Sequence, residues 1–396
     1  MFLVCEPIAW GIEHVPSNSG LLKTIRNAYP DEKVCFVGEQ THCEQVRAQI
    51  GSVTADSIEW TTMEIPERSA GFYRRLRSDA RTIRSVFRRM ENDSSYQVLT
   101  FVSGNSSLMW LVNYHLLAFH RRAKVQMVLH GDFSRLRHRS SLKNHLNPFF
   151  RLGSFPTAVR FACHKRAQYL VLDEAVLDVV IDKYSFLSDR FRVLDLPLPG
   201  DESSMSPQPL QAPVKFGYLG RAYPTKGFFH FLNVAAEVSR RRPGRAQFHL
   251  IGSITDAQGR QNIPNIDCLF DPPTTSPLSR NEYLTRLDTM HFVCLFYDES
   301  YEFTASAVLL DCVEHGKPIV ASRRTIFVKM HDRFSDLGYL CDVDDYADVV
   351  ESIVTEMDSD RYKRQVATMG TIKASRDVGV LAQRYRSLVQ ELLTEA

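Results

Sequence analysis

Residues 301–322 read YEFTASAVLLDCVEHGKPIVAS, and the reading of this stretch decides the fold. The run before it, HFVCLFY at 291–297, is short, apolar and rich in β-branched and aromatic residues, as in a strand buried on both faces. A polar turn follows. Thr304 or Ser306 then caps a helix with Val308, Leu309, Cys312 and Val313 on its apolar side, Gly316 stops it, and Pro318 leads into a second strand, PIVAS. Strand, turn, helix and strand in that order make a βαβ unit, which requires a parallel sheet. In doubly wound sheets the loop at a strand's carboxyl end, opening on a helix N-terminus, is where phosphates and sugars are held. The chemistry is therefore expected near residues 301–306.

The same alternation runs outward in both directions. Toward the N-terminus the predicted strands are MFLVCEP, KVCFVGE, YQVLTFVSG, KVQMVLHGD, QYLVLDE and RVLDLPLP, with helices over 19–30, 41–52, 105–121 and 160–167 among the intervening segments. Four prolines with Ser and Gln interrupt the pattern at 199–213, PGDESSMSPQPLQAP, and mark a linker. It then restarts with strands VKFGYLG, AQFHLIGS and NIDCLF and the helix SRNEYLTRLD before the opening stretch. The organisation read from this is a first αβα domain over 1–199, a linker over 200–213, a second domain over 214–375, and a C-terminal helix, 376–396, packing back on the first domain. Two such domains place a cleft between the carboxyl ends of their sheets.

A chain of 396 residues with 44% hydrophobic content can bury more than one core. MFLVCEPIAW lacks the basic start of a signal peptide and reads as a first strand, and no run of 18 apolar residues offers a membrane span. The eight cysteines are scattered, without CxxC or Cys/His metal spacing, and read as reduced core residues of a cytosolic protein. Net charge is only +2, but residues 1–200 hold 26 Lys/Arg against 20 Asp/Glu and the remainder 22 against 26. Between Arg68 and Arg89 lie eight arginines and one acid, Asp79; Phe72, Leu76, Ala80, Ile83, Phe87 and Met90 fall on one side at helical spacing. That helix reads either as a solvated face or as an anchor to an anionic membrane, with Phe72, Leu76, Phe87, Phe149 and Phe150 entering the headgroups. A second basic run, 134–145, precedes Phe149 and Phe150. No nucleic-acid-binding motif accompanies the charge, so nucleic acid is not expected as a partner.

YLGRAYPTKG at 218–227 follows a strand and opens a helix. Its Arg221 and Lys226 stand five residues apart across a Gly/Pro turn, and can converge on a diphosphate or remain a solvated basic turn. The pattern GR-x-x-P-x-KG, followed about eighty residues later by an acidic position and GKPIVAS, resembles the GT-B glycosyltransferases, and most of all the large retaining group that uses nucleotide-sugar donors. The resemblance covers 214–322 best, and YLVLDEAVLDVVIDKY and RVLDLPLP are similar to that family's approach to its hinge. It implies two Rossmann-like αβα domains facing each other across a cleft, the first on the acceptor side and the second binding a UDP- or GDP-sugar. Arg221 and Lys226 would hold the donor diphosphate.

The family pattern has two glutamates eight residues apart, the second five residues before the Gly of GKP. Here the second position is Asp311, suited to the ribose hydroxyls, and the first is Phe303, with Glu302 one residue out of register. YEFTASAVLLD is also similar to a branch of the fold in which Tyr301, Thr304, Ala305 and Ser306 meet the donor, the backbone amides of Ala305, Ser306 and Ala307 and the Ser306 hydroxyl holding the β-phosphate. Simple helix capping by Thr304 or Ser306 is the alternative. In the first domain His130 ends an apolar strand, where the resemblance implies contact with the donor sugar, and Asp132 is its polar companion. The loop EPIAWGIEHVPSNSG supplies Glu13 and His14, either of which has the chemistry of a base. DVDD at 342–345 spells a metal motif, but between a strand and a helix it reads as a cap, so neither metal nor cofactor is expected.

The resemblance, with the basic helix, thus implies a retaining glycosyltransferase on the cytoplasmic face of a bacterial membrane, working on a glycan or lipid-linked acceptor in surface-polysaccharide synthesis. An epimerase or hydrolase of the same fold and a noncatalytic sugar-nucleotide-binding subunit are the alternatives.

Overall fold

The computed structural model describes residues 1–66, 72–119, 122–130, 133, 154–198, 207–254, 263–271, 274–304 and 306–394. The chain divides into two compact units, one formed by Met1–Pro199 with Arg376–Ala396 and the other by Gly200–Ser375.

The first unit is built on seven strands: β1 (Phe2–Cys5), β2 (Val34–Gly38), β3 (Ile58–Thr62), β4 (Val98–Gly104), β5 (Val125–Leu129), β6 (Ala167–Val171) and β7 (Phe191–Val193). They lie in the order β3-β2-β1-β4-β5-β6-β7, and every pairing is parallel. β1, β2, β5 and β6 are buried along their whole length, which is why they read as unbroken apolar runs rather than as alternation. The strands alternate with helices α1 (Val15–Ala28), α2 (Gln40–Gln49), α3 (Ser52–Asp56), α4 (Phe72–Asn92), α5 (Ser106–Ala118), α6 (Phe155–Phe161) and α7 (Glu174–Lys183). Strand order reverses between β1 and β4, so the crevice outside their carboxyl ends is the switch point of this sheet.

The second unit repeats the scheme with five strands: β8 (Val214–Arg221), β9 (Ala246–Ser253), β10 (Phe292–Leu295), β11 (Ile319–Ser322) and β12 (Gly338–Cys341). Their order is β12-β11-β10-β8-β9, again all parallel, with the switch between β8 and β10. Phe216, Phe248 and Phe292 stack across β8, β9 and β10 in its core. The helices are α8 (Phe228–Arg241), α9 (Arg280–Asp288), α10 (Ala307–Glu314), α11 (Thr325–Phe334), α12 (Tyr346–Glu356) and α13 (Ser359–Ser375). A last helix, α14 (Val378–Thr394), belongs to the first unit. Tyr385 reaches the Thr100 hydroxyl at 3.0 Å, and Arg384 donates to the Val193 carbonyl at 2.8 Å.

Three local expectations change. The first helix begins at Val15 rather than Ser19, because Pro16 sits where a missing N–H costs nothing. Residues 266–268 form a 3-10 turn, not part of a strand: Asn265 is left-handed (φ 60) and the Leu269 amide donates back to the Ile266 carbonyl. The helix expected over 160–167 lies earlier, at Phe155–Phe161, leaving Ala167 to open β6.

Candidate functional site

In the second unit the sequence candidates gather at the β8/β10 switch point. At the end of β8 the chain turns through Gly220 (φ 85) and then Gly227 (φ 75), both left-handed. A Cβ at position 227 would stand 1.9 Å from the Phe296 carbonyl oxygen, so the turn closes against the end of β10 only because glycine is there. The Asp298 amide donates to the Thr225 carbonyl at 3.0 Å, fastening the same turn to the 3-10 turn Glu299–Tyr301. The ring of Tyr301 lies 4.8 Å from that of Tyr297. The first turn of α10 arrives beside them, since a Cβ on Gly220 would lie 4.0 Å from Val308 Cγ2.

Arg221 is exposed and donates to the Tyr223 hydroxyl at 2.9 Å. Lys226 is half-buried; burial first, and then the nearby Arg221 charge, hold its ammonium below the ordinary lysine pKa. Among the described residues neither cation is paired with a carboxylate. The described residues thus hold two like charges close together with no counter-ion among them, an arrangement that an anion relieves.

Ser306 is the N-cap of α10: its Oγ accepts from the Leu309 amide at 3.2 Å and shares a hydrogen bond with the Tyr297 hydroxyl at 2.9 Å. Thr304 does not cap the helix; its amide donates to the Tyr301 carbonyl at 3.3 Å. Ala305 lies outside the described residues. Asp311 is buried, with Oδ1 accepting from Arg280 at 2.7 Å and Oδ2 from the Tyr283 hydroxyl at 2.8 Å, so its nearest partners are protein groups. Phe303 is 1% exposed, a core side chain where the family pattern has an acid. Glu302 accepts from the Thr325 amide at 3.0 Å and faces Arg324, and so stabilises the start of α11.

In the first unit the candidates meet at the β1/β4 switch point, around a residue the sequence reading passed over. Glu6 follows β1, is 0% exposed, and receives four hydrogen bonds. Its Oε1 accepts from the amides of Ile8 and Ala9, both at 2.9 Å, and its Oε2 from Asn18 Nδ2 at 2.8 Å and Ser103 Oγ at 2.6 Å. Burial opposes ionisation, but the His14 charge and the hydrogen bonds outweigh it and hold the carboxyl below the usual glutamate range. His14 Nδ1 lies 3.1 Å from Ser103 Oγ, and its ring stacks on His130 with centroids 4.9 Å apart. His130 Nε2 lies 2.6 Å from the Val102 carbonyl oxygen, and burial followed by the His14 charge pushes its pKa down to about 4. His14 and His130 are thus brought together. Glu13 is half-buried beside His14, its amide donating to the Trp10 carbonyl at 3.3 Å. Asp132 lies outside the described residues. The rule that singled out His130, a polar residue at the carboxyl end of an apolar strand, would have found Glu6 in FLVCEP.

α4 corrects one expectation about the basic helix. Ile83, Val86 and Phe87 are buried in the first unit, so its apolar side belongs to the core and Phe87 is not free to enter a lipid headgroup layer. Arg74, Arg75, Arg77, Arg81, Arg84 and Arg88 are exposed, and Asp79 among them is pushed up to about 6 by burial, against the pull of Arg75. The basic run 134–145, Phe149 and Phe150 lie outside the described residues. Among the described residues no group of His, Cys, Asp or Glu is arranged to hold a metal ion, and none of their helices is long and apolar enough to cross a membrane.

No protein-family model matches the sequence, and no curated protein does. Solved structures do match in fold. HepE from Anabaena, in complex with UDP, is 14% identical with a TM-score of 0.65, over 98% of this chain and 99% of that one. A glycosyltransferase from Rickettsia africae is 11% identical with a TM-score of 0.66, over 100% and 99%. Sucrose-phosphate synthase from Thermosynechococcus elongatus is 12% identical with a TM-score of 0.68, over the whole of both chains. The chain has the GT-B fold, with a Rossmann-like parallel sheet in each unit.

Proposed function

We propose that this protein is a glycosyltransferase that moves a sugar from a nucleoside-diphosphate sugar to a glycan or lipid-linked acceptor. The observation that carries the reading is the pair Arg221 and Lys226, held together at the switch point of the second sheet without a carboxylate partner among the described residues. Such a pair takes up a diphosphate and offsets the charge that grows on it as the glycosidic bond breaks. The amides at the start of α10 are suited to share that charge, with Ser306 setting the first turn. HepE, similar in fold, was solved with UDP and with UDP and glucose, which favours a UDP-sugar as donor. Following the family resemblance, the reaction retains configuration, the departing phosphate serving as base while His130 supports the sugar and His14 or Glu13 meets the acceptor. The reading calls for no metal, since the cations and the helix N-terminus supply the positive charge.

We place the protein at the inner face of the cell membrane, in surface-polysaccharide synthesis. The support is the row of exposed guanidinium groups on α4, beside a hollow of about 580 Å³ lined by Arg77, Arg81, Arg84, Arg88, Tyr114 and Phe119. Arginines there would meet lipid phosphates while Tyr114 and Phe119 enter the headgroup layer.

Thermal shift with UDP, GDP and CMP tests the donor first, because a bound nucleotide raises stability by mass action. Transfer of label from UDP- and GDP-sugars into a membrane lipid fraction then tests the reaction. Label in lipid with the wild type but not with Arg221→Ala supports a transferase. Free UDP or an isomerised sugar without acceptor would make it a hydrolase or epimerase, and nucleotide binding without any turnover would make it a noncatalytic subunit, as the buried Phe303 would suit. Flotation with anionic vesicles tests the membrane surface: replacing Arg74, Arg77, Arg81 and Arg84 by Ser should abolish it.

A further inference from the structure

We propose that Glu6 and Ser103 are positioning residues that hold His14 as a hydrogen-bond acceptor, making the switch point of the first sheet a site for sugar hydroxyls. The identity of the ligand rests on the glycosyltransferase reading; the order of the hydrogen bonds does not.

An ionised carboxylate only accepts, so the hydroxyl of Ser103, 2.6 Å from Glu6 Oε2, spends its single proton on Glu6. Its contact with His14 Nδ1 at 3.1 Å must then be one in which Nδ1–H donates and Ser103 Oγ accepts. In the neutral ring that fixes the tautomer of His14, with the proton on Nδ1 and the lone pair on Nε2. The remaining bonds agree with this assignment. Asn18 Nδ2 gives one proton to Glu6 and the other to His42 Nε2 at 2.9 Å, and His42 Nδ1–H donates to the Gly11 carbonyl at 3.0 Å.

His130 is held in the opposite tautomer. A carbonyl oxygen only accepts, so Nε2 carries the proton toward Val102 and Nδ1 is bare. When both are neutral, the two stacked imidazoles therefore each leave one nitrogen, Nε2 of His14 and Nδ1 of His130, without a partner among the described residues. Nearby, Asn18 Oδ1 is a buried acceptor with no donor among those residues. The groups left over are acceptors, so the ligand group that suits them is a donor. A sugar presents hydroxyl protons, and an ionised phosphate does not.

The backbone carries the same message. His14 is the N-cap of α1 at φ 56 and ψ 9, a left-handed conformation for a residue with a Cβ. Such strain persists where surrounding bonds over-determine it, and it gathers at functional sites. Glu6 also anchors the loop through the amides of Ile8 and Ala9, so a purely structural role is the competing account.

The two accounts part at the ring of His14. In the full-length protein labelled with ¹⁵N, imidazole correlation spectra should show the neutral ring of His14 protonated on Nδ1 and that of His130 on Nε2. In Ser103→Ala the His14 ring should become a mixture of tautomers while His130 keeps its own, and Glu6→Gln should do the same. Turnover should fall about 10- to 100-fold with the KM for donor unchanged, the size expected for a hydrogen bond linked to a charged group. The thermal shift given by UDP should match the wild type. A wild-type His14 protonated on Nε2, or one unaltered by Ser103→Ala, overturns the proposal. Should Glu6→Gln fail to fold by circular dichroism, Ser103→Ala decides alone, because it removes one oxygen. Absence of transfer in the wild type would instead overturn the glycosyltransferase reading and with it the hydroxyl ligand, leaving the tautomers to judge the positioning.

Discussion

The two sheets place their chemistry at equivalent points and equip those points in opposite ways. At the β1/β4 switch of the first unit a buried carboxylate is saturated with four hydrogen bonds and two imidazoles stack beside it. At the β8/β10 switch of the second unit two cations stand without counter-ions among the described residues, on a turn that only glycine can make. One fold thus offers two equivalent crevices, and the side chains there make them chemically different. The first site is pre-organised by hydrogen bonds paid for within the protein. The second is left electrostatically incomplete and suited to a ligand that completes it.

The largest effect is expected at the glycine turn of the second unit. Gly227→Ala should destabilise the second unit by about 3 kcal/mol, since both the left-handed φ and the contact with the Phe296 carbonyl forbid a Cβ, and should abolish the thermal shift with UDP. An unchanged urea midpoint would show that the turn does not need its glycine. Next in size, Arg221→Ala combined with Lys226→Ala should weaken nucleoside-diphosphate binding on the order of 100-fold, about 3 kcal/mol, with little loss of stability in the free protein. Calorimetric titration with UDP reads the first quantity and unfolding without ligand the second; equal affinity in variant and wild type would remove the cations from the donor site.

In the first unit Glu6→Gln should cost about 1–3 kcal/mol, because an amide cannot accept all four hydrogen bonds. The pH dependence has a definite sign. The folded pKa of Glu6 lies below the ordinary value of 4.5, so the stabilisation is fully present above pH 4.5 and is lost as pH falls through the folded value. Stability of wild type and variant measured from pH 6 downward should therefore converge, and a constant difference would contradict the assignment. The smallest effect belongs to Lys226. Burial and Arg221 lower its pKa, so UDP binding should weaken with rising pH before an ordinary lysine would discharge at 10.5, and Arg221→Ala should move that limb upward. A limb that does not move would separate the two charges.

Legibility in the sequence differed between the sites for a physical reason. The second is local: Gly220, Arg221, Lys226 and Gly227 occupy one turn, and Tyr301 to Ser306 lie on the next strand exit, so spacing alone assembles most of it. What spacing could not supply is the partner of each side chain. Asp311 stood in register for a ribose, yet its carboxylate meets Arg280 and Tyr283 from α9, and Glu302 is engaged at the start of α11. Likewise the 3.6-residue period of α4 shows that it has an apolar side but not what covers it; the core of the first unit does.

The sequence by itself determined the class of the fold and the cationic turn, because strand composition, helix period and left-handed glycines are written within short windows. Only the tertiary structure decided the site in the first unit. Glu6 and Ser103 are 97 residues apart and meet because β4 pairs with β1 rather than with β3, and His130 joins them because β5 follows β4 in the sheet. A hydrogen-bond network depends on which strands are neighbours, and that order is set by packing of the whole sheet, which no short window contains.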